Sequence, residues 1–200
     1  FNYKKVSIMI EKFIMENPEF QTPCYIKKEK KLIKNLEILQ QIQNQTECKI
    51  LLAQKAFSMF SVYPLIKKYI SGTTASGIFE AKLGFEEMGK ENHIFAPAYP
   101  DKDMDEIICD HIVFNSFSQW NKYRDKIIKS PDSPECGIRI NPQYSEIETD
   151  IYNPCFSGSR MGVTLENFDD TALEGISGLH FHTMCEQNSD TLERTIKVVD

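Results

Sequence analysis

The 200 residues predict an α/β fold built on a parallel sheet. Short β-branched or apolar segments alternate with longer segments of helical period, the pattern of repeated strand–helix units. The strand ends fall near residues 54, 74, 96, 115, 140 and 181, at near-regular intervals broken by one long insertion after the fifth. No G-x-G-x-x-G follows the first strand, which removes the main signature of a dinucleotide-binding sheet and leaves a (β/α)8 barrel as the architecture.

Taken in order, residues 1–21 form an N-terminal extension. Its apolar run from Val6 to Ile10 is cut by Glu11 and Lys12, too short for a transmembrane span and without the small-residue cleavage site of a signal peptide. Residues 22–200 contain no Ser-rich stretch and no block of like charge, so they are read as one partial barrel domain. A helical pattern over 30–43 precedes a first strand at 49–53. Helical period over 61–69 leads to a second strand at 69–74, and 78–88 leads to a third at 93–96. The fourth strand is 111–114, followed by a helix over 118–128. The fifth strand is 137–140, the sixth 178–181, and a last helix covers 190–199. A complete barrel takes about 250 residues. Because the sequence starts at Phe1 and stops at Asp200 within a helical pattern that has no C-cap signal, we expect a piece of a longer protein with about six of eight units.

Composition narrows the function. At 41% hydrophobic and 26% charged the chain has enough apolar material for a core and matches ordinary globular proteins. Lys plus Arg number 23 against 29 for Asp plus Glu, a net charge of -6, so no excess positive potential draws in nucleic acid. A cationic small molecule is better tolerated. The six cysteines are dispersed, with no C-x-x-C pair or zinc-ligand spacing, as expected of a reduced, cytoplasmic chain. No membrane partner is expected.

In a parallel barrel the reactive groups sit at the carboxyl ends of the strands. Lys55 ends the first strand, in Leu52-Ala53-Gln54-Lys55-Ala56-Phe57. An ammonium beside an apolar strand is expected to be partly desolvated, which makes it a candidate Schiff-base former; the plainer reading is a surface lysine. At the sixth strand end, Gly178-Leu179-His180-Phe181-His182 places both imidazoles on one face by the period of two. Paired histidines could hold zinc, but no third ligand follows at a metal-like spacing, and stacking over a planar cofactor is the sharper alternative. Arg139, flanked by apolar neighbours in the fifth strand, must be paired with a carboxylate or a cofactor anion. Small residues around Gly72 and Ser76 allow close backbone approach to a ligand, or simply a tight turn. The insertion from Asn141 to Gly162 lies on the active-site side, where long loops are commonly functional.

Together these runs, with Thr22-Pro23-Cys24-Tyr25-Ile26, Thr74-Ala75-Ser76-Gly77, Ala96-Pro97-Ala98-Tyr99, His111-Ile112-Val113-Phe114-Asn115-Ser116, Tyr152-Asn153-Pro154-Cys155 and Cys185-Glu186-Gln187, resemble the carboxynorspermidine/carboxyspermidine decarboxylase family. That family is of the alanine racemase and ornithine decarboxylase type. The last run discriminates best, because related decarboxylases carry Gly-Ser where Met184-Cys185 stands here. The resemblance implies pyridoxal 5'-phosphate as cofactor, held covalently by Lys55, with His182 stacked on its ring and Arg139 near it. It places Ser76 and Cys185 at the cofactor too, and Arg160 where relatives carry a dimer-interface lysine, so a homodimer is implied. The reaction implied is loss of the α-carboxylate from a polyamine amino acid to give norspermidine or spermidine, with the cofactor taking the electron pair.

Gln54 departs from the leucine usual before the lysine. The phosphate loop, the carboxylate that pairs with the pyridine nitrogen and the second, β-rich domain with its partner-subunit residues are expected beyond Asp200. Two other readings stand beside this one: a diaminopimelate or basic amino-acid decarboxylase of the same fold, and a non-catalytic pyridoxal-phosphate-binding homologue. The open sheet of six strands on its own is expected to aggregate.

Overall fold

A computed structural model describes residues 3–19, 21, 23–129 and 132–199. Phe1, Thr22 and Asp200, which bound the two expected segments, lie outside the described residues. Six strands, β1 (Leu51–Ala53), β2 (Gly72–Ala75), β3 (Glu91–Phe95), β4 (His111–Phe114), β5 (Glu135–Arg139) and β6 (Ile176–His180), form one sheet in the order β1-β2-β3-β4-β5-β6. Every neighbouring pair is parallel. An order that never reverses is that of barrel staves; a doubly wound sheet has a switch point. This is therefore part of a (β/α) barrel, as the spacing predicts.

Alternation along the strands separates the two faces. In β3, Asn92 and Ile94 are buried, whereas Glu91, His93 and Phe95 are partly open; β4 repeats the pattern with Ile112 and Phe114 buried. The buried set faces the helices and the other set faces the lumen. Gly72 is needed on the lumen side, since a Cβ there would lie 1.8 Å from the Glu91 carbonyl oxygen. Its smallness serves the packing of β2 on β3.

The helices are α1 (Tyr3–Glu16), α2 (Glu29–Thr46), α3 (Tyr63–Ile66), α4 (Ile78–Leu83), α5 (Asp101–Met104), α6 (Phe117–Ile128) and α7 (Ser189–Val199). Helix α6 shows why its sequence stops and starts where it does. The Ser116 side chain accepts from the Gln119 backbone N–H, and the Gln119 side chain accepts from that of Asn115, so two donors left over at the helix start are satisfied. Trp120, Tyr123 and Ile127, on one face by their spacing, are its buried residues.

The expectation of a full helix after each strand needs correction. The crossover after β1 is a 3-10 turn, Phe60–Val62, and the single turn of α3; α5 is equally short. Between β5 and β6 the chain makes three 3-10 turns and no α-helix. The 78–88 pattern begins as α4 and continues from Gly84 to Met88 as a π-helix, closed by the Gly89 N–H on the Gly84 carbonyl.

Two apolar clusters form the core. One joins β3–β5 to α6 through Ile94, Ile112, Phe114, Ile138, Trp120 and Tyr123. The other joins α2, α3 and the π-helix through Leu36, Tyr63, Ile66, Ile70 and Met88. Buried Gln54, Thr73 and Asn92 add polar groups to the helix-facing layer. They are satisfied: Thr73 donates to Asn92 Oδ1, and the Asn92 amide donates to the Ala81 and Ile108 carbonyls. Tyr99 is held in place between β3 and β4, donating to the Val113 carbonyl and accepting from the Ala96 N–H. Burial pushes its phenol pKa up.

Candidate active site

Because the strands are parallel, their carboxyl ends share one rim, and Lys55, Ser76, Arg139, His180 and His182 all fall on it or just past it. Arg139 pairs with His180 across β5 and β6. Its guanidinium lies 4.8 Å from the centroid of the Phe95 ring, and the His180 ring stacks on the same Phe95 at 5.1 Å. Phe95 thus acts as a spacer between two polar side chains that reach inward from neighbouring strands.

Arg139 is only 3% exposed, yet none of the described residues gives it a carboxylate partner. It donates to the His182 carbonyl at 3.3 Å, and its Nε is buried with no hydrogen bond. Of the two expected partners, the carboxylate is therefore corrected: a backbone carbonyl and an aromatic face stand in its place. Burial lowers the Arg139 pKa, as it must for a cation without an anion beside it.

The histidines lie in the same positive field. Burial, followed by the charge of Arg139, pulls His180 down to about 4, with His182, His93 and Lys55 adding to the effect. His180 Nε2 is a second buried atom without a partner. His182 is lowered by partial desolvation and then by Lys55 and Arg139. Lys55 itself is exposed, against the expectation of partial desolvation, because it stands just past β1, an edge strand of the open sheet. The structure therefore brings Lys55, Arg139, His180 and His182 into one electrostatic neighbourhood.

Ser76 and Cys185 are both exposed. The Ser76 N–H donates to Glu80 at 2.7 Å, which anchors the turn into α4. Cys185 lies in the loop after β6 beside Glu186, whose φ is 56°. No hydrogen bond or ring contact joins either residue to the Arg139 group among the described residues.

The insertion folds back over this rim. Asn115, at the end of β4, donates to the Arg160 carbonyl and accepts from the Gly162 N–H, while Ser145 donates to the Thr183 carbonyl. The Val163 N–H reaches the Arg139 carbonyl. Cys155 is close enough that the Arg139 charge opposes the burial that raises its thiol pKa. Arg160, Ile151 and Tyr152 are exposed.

Sequence reasoning missed a second cluster. Glu91, His93 and His111 converge in the lumen at the amino ends of the strands. Their sources lie on two strands about twenty residues apart, so no local motif reveals them; the His93–His111 register does.

An anionic planar cofactor fits the rim. The neighbours that shift His180 and His182 are all basic, two inward polar atoms lack partners, and a primary amine stands beside them. These are features of an electropositive surface able to face a phosphate or carboxylate.

Comparison with known proteins agrees. The fold is shared with known barrels: structures of diaminopimelate decarboxylase from Helicobacter pylori align at TM-scores of 0.68 and 0.70 over 94% of this chain, with 17% and 18% identity. More particularly, the chain is homologous to carboxynorspermidine/carboxyspermidine decarboxylases. The Campylobacter jejuni protein of that name is 39% identical over 90% of this chain and 47% of its own. A crystal structure of carboxynorspermidine decarboxylase from that organism, complexed with norspermidine, aligns at a TM-score of 0.78 with 36% identity, over 90% of this chain and 46% of its own. A carboxyaminopropylagmatine decarboxylase from Synechocystis is 38% identical over 94% of this chain and 49% of its own. No protein-family profile matches. The chain spans about half the length of the curated relatives it matches.

Proposed function

We propose that the protein containing this chain is a pyridoxal-phosphate-dependent carboxy-lyase that removes the α-carboxylate of a carboxylated polyamine, carboxynorspermidine or carboxyspermidine. The observation that carries this reading is the grouping of Lys55, Arg139, His180 and His182 at the carboxyl rim of a barrel homologous to decarboxylases of that class. Lys55 would hold the cofactor covalently through Nζ, His182 would cover its ring, and Arg139 would face it, with Ser76 and Cys185 contributing at the rim. When bound, the cofactor supplies an electron sink for the pair released with carbon dioxide. The chain's own part is orientation: Phe95 and the His182 carbonyl fix Arg139, and the clamped insertion reaches it through the Val163 N–H on the Arg139 carbonyl.

Assembly as a homodimer in the cytoplasm is part of the same proposal. Exposed Ile151, Tyr152 and Phe156 give the insertion an apolar surface suited to a subunit contact. All six cysteines are free, which suits a reducing compartment. No helix among the described residues is long and apolar enough to cross a membrane.

The similarity to a carboxyaminopropylagmatine decarboxylase makes a third carboxylated polyamine a substrate to compare. The test is to supply the cofactor-loaded protein with carboxynorspermidine, carboxyspermidine, carboxyaminopropylagmatine and diaminopimelate, and to measure amine product by mass spectrometry. Turnover of a polyamine acid in preference to diaminopimelate is expected. Preference for diaminopimelate, or no turnover of any of the four, would overturn the proposal.

A further inference from the structure

The amino-terminal end of the lumen holds polar chemistry that the proposed reaction does not use. Glu91 and His93 lie two residues apart on β3 and so share the lumen face, and His111 is the register partner of His93 on β4. Strand pairing therefore sets all three positions. The two imidazoles stack with centroids 4.1 Å apart, and both Nε2 atoms turn to one carboxylate oxygen. Glu91 Oε1 is 2.7 Å from His93 Nε2 and 3.2 Å from His111 Nε2.

We propose that Glu91, His93 and His111 form a structural binding site for a divalent transition metal of the zinc type. The three ligand atoms lie within 4.8 Å of one another. Zinc bonds of about 2.0–2.2 Å to nitrogen and oxygen place tetrahedral ligands roughly 3.4 Å apart, so small side-chain adjustments bring the group onto a common centre. Two imidazoles and a carboxylate, with water as fourth ligand, are a donor set that zinc accepts.

The surroundings fit as well. His111 presents Nε2 to the cluster while its Nδ1 faces Glu135 Oε2 at 3.6 Å, and a carboxylate behind the distal nitrogen orients a metal-bound histidine. Among the described residues Lys49 competes for the carboxylate, with Nζ 2.6 Å from Glu91 Oε2. It touches the other carboxylate oxygen, and its side chain is 62% exposed, so it can swing into solvent. The cluster stands roughly 13 Å below the level of Arg139, the rise of four strand residues from Glu135. Metal held there joins β3 to β4.

The test uses the full-length protein, stripped with chelator and titrated with Co2+ as a spectroscopic probe, then with Zn2+. Wild type is expected to develop the visible absorption of tetrahedral Co2+, to lose it when Zn2+ is added, and to melt at higher temperature with either metal. His111→Ala and Glu91→Gln are each expected to weaken binding upwards of about tenfold. Lys49→Met, a change at an exposed side chain, is expected to bind more tightly because it frees Glu91. Absence of both the absorption and the melting shift in folded wild type would overturn the proposal, as would binding that survives unchanged in His111→Ala and Glu91→Gln.

Discussion

Gln54 carries a side-chain amide into a position only 1% exposed, and both ends of that amide are used. Its Nε2 donates to the Glu80 carbonyl at 2.8 Å, and its Oε1 accepts from the Tyr63 hydroxyl at 3.3 Å. The departure from leucine before Lys55 is thus a tie between β1, α3 and α4. Gln54→Leu leaves the buried Tyr63 hydroxyl without a partner and removes one of the two donors to the Glu80 carbonyl, which keeps the Gly84 N–H, and is expected to lower stability by about 1–3 kcal/mol. Adding Tyr63→Phe should recover part of that loss, as chemical denaturation of the two variants would show. His180 makes a different prediction. Its pKa falls from 6.5 to about 4 on folding, so between those values the unfolded chain binds a proton that the folded chain resists. The stability it contributes is complete above about pH 6.5 and is lost as pH falls toward 4, a change on the order of 2–3 kcal/mol. Denaturation at stepped pH should show a shallower acid slope for His180→Leu than for wild type.

The insertion is tied down as an element by backbone and amide contacts more than by a core of its own. Asn115 grips it at both the Arg160 carbonyl and the Gly162 N–H. Gly162 has φ of 85°, and a Cβ there would stand 2.8 Å from the Ile140 carbonyl carbon. Gly162→Ala is therefore strained and crowded, with an expected cost of about 1–3 kcal/mol. Limited proteolysis should cut within residues 141–162 faster in this variant, with the rest of the chain unaffected. Elements with strong period were legible in the sequence: α2, α6 and α7 lie within a few residues of their patterns. The change from α4 to π-helix at Gly84 was not, because the apolar face continues through it while only the backbone ladder shifts. The 3-10 turns of the insertion were hidden for the opposite reason, having no period to read.

For the molecule as a whole, the alternation of strand and helical patterns carries the parallel sheet, and crossovers of one hand running always in the same direction give its sequential order. The rim follows from the order, so the strand ends alone place Lys55, Arg139 and His182 on it. What could not be read was chemistry that depends on register between strands. The Arg139–Phe95–His180 stack and the Glu91–His93–His111 cluster join residues that have no spacing in common. Among the described residues β1 and β6 each pair on one side only, and Lys55 is exposed just past β1. The most direct measurement is to load the full-length protein with pyridoxal phosphate, reduce it with borohydride and locate the fixed adduct by peptide mass spectrometry. The adduct is predicted on Lys55 and should vanish in Lys55→Ala. An adduct spread over other lysines, or one that persists in Lys55→Ala, would contradict the assignment of this rim as the active site.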